Sequence, residues 1–357
     1  MSSSTATLSA PLAMRRLDAR TLLLGGTLLV AGCFLAASAR GAYAITPGQL
    51  LQIVWDFFSG ANTDTPAHLV FLNIRLPRLL LGVAAGAGLG LSGALMQGMF
   101  RNPLADPGLV GVSGGAALAA AVTIVLGMHW FPEMPRRLGS WTLMLTAFSG
   151  GLAVTTLIYL LAQTRHGTQV GMMLLAGIGV NALAAAGLGY LSIMSTDEQL
   201  RAVQFWLLGS LGGATWTSVA LVGATMAAAL AAGLRLAQPL NAIALGEAQA
   251  SMLGVEVERS KRLAVLVTAL AVGAVTATTG IIGFVGLVAP HAVRLLAGPD
   301  HRVVLPGSAL LGAALVLAAD AVARTVARPA ELPLGVLTAC VGVPFFLLLL
   351  RAAKGRV

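Results

Sequence analysis

Ten apolar runs succeed one another along the chain, at roughly 21–43, 76–98, 108–128, 138–162, 170–194, 214–236, 262–280, 282–298, 303–323 and 332–350. A helix rises 1.5 Å per residue, so about 20 apolar residues span the roughly 30 Å hydrocarbon core of a bilayer. Charged residues make up only 10% of the 357, against about 25% in soluble domains, too few to cover a water-facing surface. The expected fold is an all-α, polytopic membrane protein with about ten transmembrane helices, forming one unit over 1–357. The seventh and eighth runs meet at Gly280, so that pair is expected to be one broken helix or a tight hairpin.

The second run carries Gly82, Gly86, Gly90, Ala94 and Gly98, a small residue at every fourth position. Such a stripe lets helices approach closely in lipid, where apolar burial gives no net pull between them. The loop Arg101-Asn102-Pro103-Leu104-Ala105-Asp106-Pro107-Gly108 holds two prolines and is expected to end the helix in a fixed, irregular turn. Cys33 and Cys340 lie inside apolar runs far apart in sequence and are expected as buried small hydrophobes, with no disulfide.

A net charge of +9 raises the question of nucleic acid, but the basic residues are scattered between apolar runs rather than gathered on one face, which excludes that partner. With the N-terminus inside, most of them, including Arg20, Arg101, Arg165, Arg235, Arg259, Lys261 and Arg262, fall on the inner side, as the positive-inside rule requires. Both termini are then cytoplasmic, with a tail over 1–20. Arg15, Arg16 and Arg20 before the first run, and Ala42-Tyr43-Ala44 after it, have the outline of a signal peptide. The run exceeds the 7 to 15 residues of a signal core, however, so an uncleaved helix is expected.

Several chemistries are missing. A P-loop needs Gly-x4-Gly-Lys-Ser/Thr to cradle phosphates, whereas Lys261 precedes Arg262 and Lys354 precedes Gly355. Ion-coupled carriers place ionisable groups at mid-membrane, whereas the carboxylates here sit near run ends, Asp320 being the nearest exception. Energy is therefore expected from a partner. Gly111-Val112-Ser113-Gly114-Gly115 matches G-x-S-x-G and, with His291, outlines a remote alternative, an intramembrane serine protease. A nucleophile elbow needs a strand before its serine, and none is expected. His68, His129, His166, His291 and His301 lack metal-ligand spacing and are expected at helix ends as interfacial residues, with no metal.

Two features stand out as candidate sites. The segment 238–261 includes Ala244-Leu245-Gly246-Glu247-Ala248-Gln249-Ala250-Ser251-Met252-Leu253-Gly254, apolar at helical spacing with Gly254 placed as a C-cap. It reads as a short helix lying across the inner face, either an ordinary interfacial helix or a contact for an energy-supplying partner. On the outer side, Arg75-Leu76-Pro77-Arg78 opens the second helix, and Arg324 and Arg328 follow the ninth. Their guanidinium groups suit carboxylates, which reads either as docking of an acidic partner or as ordinary flanking of membrane helices.

The motifs resemble those of the permease subunits of bacterial ABC importers for vitamin B12, iron siderophores and haem. The resemblance rests on Arg75 to Arg78, Ser92-Gly93-Ala94-Leu95-Met96-Gln97, Asn102-Pro103-Leu104-Ala105-Asp106-Pro107, Ala244 to Gly254, Gly283-Phe284-Val285-Gly286-Leu287-Val288-Ala289-Pro290-His291, and Glu331-Leu332-Pro333-Leu334-Gly335. It implies a vitamin B12 permease-like fold, a homodimer with the passage on its two-fold axis, and residence in the bacterial inner membrane. Two cytoplasmic ATPase subunits would carry the ATP and Mg, a periplasmic binding protein would deliver the cargo, and this chain would hold no cofactor and catalyse nothing.

By the same resemblance, Ala244, Leu245, Gly246, Glu247, Ala248, Gln249, Leu253 and Gly254 form the helix coupled to the ATPase, and Arg75, Arg78 and Arg324 grip the binding protein. Asn102 and Leu104 belong to a cytoplasmic gate, with Val170 and Gly171 at its second loop. There the sequence departs from the small hydroxyl residues of the vitamin B12 permease. Asp197 to Arg201 followed by Phe205-Trp206 and Gly209-Ser210-Leu211 is most similar to haem permeases, which implies haem as the transported substrate and a haem-binding periplasmic partner. Siderophore or cobalamin remains the alternative cargo. Met172, Met173 and Met194 would give a flat macrocycle an apolar wall, or simply pack the core.

Overall fold

The computed structural model describes residues 16–41, 43, 45–60, 65–130, 133–165, 167–327 and 330–354. Most of the tail over 1–20, together with Ala42, Ala44, His166 and Arg328, lies outside the described residues. The order of helices is α1 (Ala19–Ala39), α2 (Pro47–Ser59), α3 (Pro66–Val70), α4 (Leu76–Met99), α5 (Val112–Trp130), α6 (Glu133–Leu138), α7 (Trp141–Leu161) and α8 (Val170–Met194). It continues with α9 (Asp197–Leu208), α10 (Trp216–Arg235), α11 (Ala237–Leu245), α12 (Glu247–Met252), α13 (Val257–Thr279), α14 (Val285–Ala297), α15 (His301–Val326) and α16 (Leu334–Lys354). The short strands β1 (Gln163–Thr164) and β2 (Gly167–Thr168) form an antiparallel hairpin between α7 and α8.

Among the described residues, seven helices are long and apolar enough to cross a membrane, and three shorter apolar ones lie at Val112–Gly127, Val285–Ala297 and Leu334–Leu348. Together they correspond to the ten runs. The second run is longer than its apolar core: α3, a π-helical turn over Phe71–Arg75 and α4 form one helix from Pro66 to Met99. The π turn has a local cause, because Pro77 donates no hydrogen bond and its ring crowds the carbonyl four residues back, so the helix widens there.

The segment 44–75 precedes the apolar core of the second run. It holds α2, whose Thr46 and Gln49 form a reciprocal capping box with Pro47 in the first turn. Ile53 of α2 packs with Ile45, Ala67 and Phe71, while Leu51 and Trp55 stay exposed. The seventh and eighth runs are α13 and α14, and the chain breaks between them at Gly280, where φ is 71°.

Helix α4 is the centre of the bundle and packs against α15, α14, α13 and α10. The glycine stripe makes that possible. A Cβ on Gly86 would overlap the carbonyl of Gly312, and one on Gly90 that of Ser308, so the backbones of α4 and α15 are in direct contact. A Cβ on Gly93 would strike the carbonyl of Gly286 in the same way, seating α14 against α4. Helices α1 and α8 are mostly exposed along their apolar length, leaving surface for lipid or another subunit. Cys33 is half-buried and Cys340 exposed, both free, so Cys340 is not the buried hydrophobe expected.

Candidate functional site

Because α4 and α15 run antiparallel, one end of the bundle gathers Arg75, Arg78 and Arg324, and the other gathers the loop 100–111, the β hairpin and the segment 237–256. At the first end the arginines turn inward. Arg78 Nη1 and Nη2 donate to Glu331 Oε1 and Oε2 at 2.9 and 2.8 Å, and its Nε donates to Asp320 Oδ1 at 2.9 Å. Arg324 Nε lies 3.0 Å from the other oxygen of Asp320. Asp320, 1% exposed, is thus held between two guanidinium groups.

Arg75 Nη1 donates to Ser38 O at 2.7 Å and its Nη2 donates to Tyr43 O. Arg324 reaches Ala37 O and Arg40 O, each at 3.3 Å. These carbonyls belong to the last turn of α1 and the residues after it, where helix geometry leaves acceptors without partners and cations are favoured. The three arginines expected either to dock an acidic partner or to flank the membrane helices are buried and engaged within the chain. Their chemistry suits carboxylates, which the chain itself supplies to Arg78 and Arg324, while Arg75 is met by backbone carbonyls. Glu331, the carboxylate paired with Arg78, lies near the surface, its side chain 46% exposed.

At the opposite end, the run Ala244 to Gly254 is not one helix. It breaks at Gly246, where φ is 129°, so Ala244 and Leu245 end α11 while Glu247, Ala248 and Gln249 begin α12. That backbone region is accessible in practice only to glycine. The expected cap is present. Gly254 has φ 80°, its N–H donates to Ser251 O at 3.0 Å, and Val255 N–H donates to Ala250 O at 3.0 Å. This pair of bonds is a Schellman closure. Ile243, Ala250 and Val257 anchor the segment in a small apolar cluster, while Leu245, Met252 and Leu253 are exposed at 68, 87 and 67%.

The same end contains a buried ammonium. Lys261 is 2% exposed, and its Nζ donates to Glu247 Oε2 at 2.6 Å, Thr168 O at 2.9 Å and Glu258 Oε1 at 3.3 Å. From its place in the sequence Lys261 reads as an inner-face flanking charge. In the fold it is enclosed, because three segments supply its acceptors. Glu258 Oε2 in turn accepts from Thr168 N at 2.9 Å and from Thr168 Oγ1 at 2.7 Å.

The residues expected at the gate lie at this end too. Asn102 is exposed and accepts from Leu104 N at 2.9 Å, closing an Asx turn. Val170 and Gly171 open α8 directly after the hairpin, Val170 half-buried and Gly171 exposed. The two regions are tied through neighbours. Asn181 Nδ2 donates to Gly108 O at 3.1 Å, and a Cβ on Gly177 would overlap Leu109 O. Of the methionines, Met173 turns into the core, while Met172 and Met194 are exposed on α8.

The protease alternative finds no machinery. Ser113 lies in the first turn of α5, no strand precedes it among the described residues, and neither ring nitrogen of His291 has a hydrogen-bond partner. His291 packs edge-on against Phe345, His68 lies 3.3 Å from Asp56, and His301 Nδ1 meets Asn241 Oδ1 at 2.7 Å. These three are packed or paired, with His68 and His301 at helix ends as expected. No cluster of metal-ligating side chains occurs among the described residues.

Comparison with known proteins then becomes informative. The FecCD transport family matches residues 28–352. The chain is 42% identical to the hemin transport system permease protein of Yersinia pestis, over 94% of this chain and 97% of that one. It is 42% identical to the cobalamin import system permease protein of Halobacterium salinarum, over 81% of this chain and 75% of that one. It is 38% identical to the vitamin B12 import system permease protein of Klebsiella pneumoniae, over 94 and 95% of the two chains. A solved structure described as an inward-facing conformation of a metal-chelate type ABC transporter superposes with a TM-score of 0.80 at 30% identity, covering 93% of this chain and 99% of that one.

Proposed function

The chain belongs to the FecCD transport family, and from that premise we propose that it is the permease of a haem importer. It is an ABC importer permease, a multi-pass protein of the inner membrane, and not an enzyme; its family works with separate ATPase subunits, which hydrolyse the ATP, and with a periplasmic binding protein. In the proposed assembly two copies enclose the passage on their two-fold axis, with the mostly exposed α8 available to line it. Two ATPase subunits, carrying ATP and Mg, sit against the end that holds Ala244 to Gly254, and both termini lie on that cytoplasmic side. Asn102, Leu104, Val170 and Gly171 form the cytoplasmic gate.

The observation that supports the coupling site is the exposed apolar edge of Leu245, Met252 and Leu253 on a segment jointed at Gly246. An edge of that kind on a water-facing end marks a protein contact. The binding protein would dock at the opposite end over the Arg78–Glu331 pair, with Arg75 and Arg324 shaping that surface from behind.

Haem as cargo is supported by the match to the hemin permease over nearly the whole of both chains. Cobalamin is the second reading, because an equal identity extends over the matched part of the archaeal relative. Vesicles holding the permease, its ATPase and its cognate binding protein should take up haem and leave cobalamin and a ferric chelate outside. Uptake of either of those in place of haem would overturn the cargo.

A further inference from the structure

Resting on the reading that Ala244 to Gly254 meets the ATPase, we propose that Lys261 is a positioning residue for transport: it ties the coupling segment to the hairpin that precedes the gate, so that the two move as one. An ammonium has three protons to donate, and all three are used, each on a different segment. Glu247 belongs to α12, Thr168 to β2 and Glu258 to the first turn of α13. A charge so enclosed persists only while it stays paired.

Helix α12 is seated by Ala250, its one buried residue, which packs with Ile243 of α11 and Val257 of α13; its charged link to the interior is Glu247. A push on the exposed edge at Met252 and Leu253 is therefore carried inward through Glu247. Displacing Glu247 must either leave the buried ammonium short of its nearest carboxylate or draw Lys261, and with it Thr168, along. Thr168 cannot lag behind, since Glu258 holds both its N–H and its hydroxyl. Two residues further on the chain enters α8 at Val170.

The test uses the complete importer in vesicles and measures cargo moved per ATP hydrolysed. K261M should retain ATPase association while this ratio falls at least about fivefold, the lower bound for coupled sites. E247L should lower it similarly, because it removes the acceptor of the α12 arm alone, and the double variant should fall no further than K261M, since both remove one linkage. The carboxylates of Glu247 and Glu258 are 39 and 42% exposed, so water can take them over when the lysine is lost. Should K261M fail to fold, E247L decides by itself.

Wild-type ratios, or losses that multiply in the double variant, would overturn the linkage. The reading beneath it is tested separately by L245E with M252E, which should abolish ATPase association. If that variant still assembles and couples, the ATPase contact lies elsewhere, whatever Lys261 does.

Discussion

Replacing Arg78 by methionine separates a structural role for the arginine end from a docking role. The substitution leaves Asp320 almost wholly buried with Arg324 as its remaining cation, and leaves Glu331 half in water. Removing one partner of a buried ion pair costs about 3–5 kcal/mol, and the low end applies because Arg324 stays. The Glu331 arm is rim-exposed and contributes about 0–1 kcal/mol, so E331Q should be close to neutral. A double-mutant cycle should therefore find a larger coupling of Arg78 with Asp320 than with Glu331. Denaturant unfolding of the purified protein in detergent reads these differences directly. An R78M variant within about 1 kcal/mol of wild type, combined with lost stimulation of the ATPase by the binding protein, would refute the structural account. Reversing the charges of Arg75 and Arg78 together is a poorer probe, because it sets carboxylates against Asp320 and the end of α1, and so tests folding.

The backbone contact at Gly93 leaves no side chain free to yield, so G93A should cost about 1–3 kcal/mol or more by overpacking; G25A, with nothing within 4 Å of the added carbon, should be nearly silent in the same assay. At the joint of the coupling segment, G246A and G246N should both be destabilising, by about 1–3 kcal/mol for a region essentially reserved to glycine, and should weaken ATPase binding. G254N should be tolerated, since asparagine accepts the left-handed cap conformation. Arg78 holds the Glu331 carboxyl below its ordinary range. That contact is therefore whole at neutral pH and is lost only as pH falls through the lowered value, which an infrared carboxylate titration of wild type against R78M would detect.

The helical spans were legible because a bilayer imposes one length on every crossing, and the stripe from Gly82 to Gly98 because close packing writes a period of four into a single helix. Helix α2 was not among the runs, because its apolar residues are interrupted by Gln52 and Asp56 and it is too short for a span; the Thr46-Pro47-Gly48-Gln49 cap is the signal that could have shown it. The break at Gly246 was masked by helical spacing on both sides of it. For the arginines the chemistry could be read and the partner could not: Asp320 and Glu331 lie 242 and 253 residues from Arg78, and only folding brings them together. Lys261 carried no signal of burial for the same reason, since its three acceptors come from three segments. In the proposed assembly the cargo passes between two copies, so the residues that meet it would come from both and leave no pattern within one chain's sequence.

At the centre of the account stands a permease with no energy source of its own, driven from its cytoplasmic end through Leu245, Met252 and Leu253. The most direct measurement is haem accumulation in vesicles against a gradient, with the chain alone, with the ATPase and binding protein added, and with L245E and M252E in that full set. Accumulation is predicted in the second case only. Uphill movement by the chain alone, or undiminished movement by the variant, would contradict it.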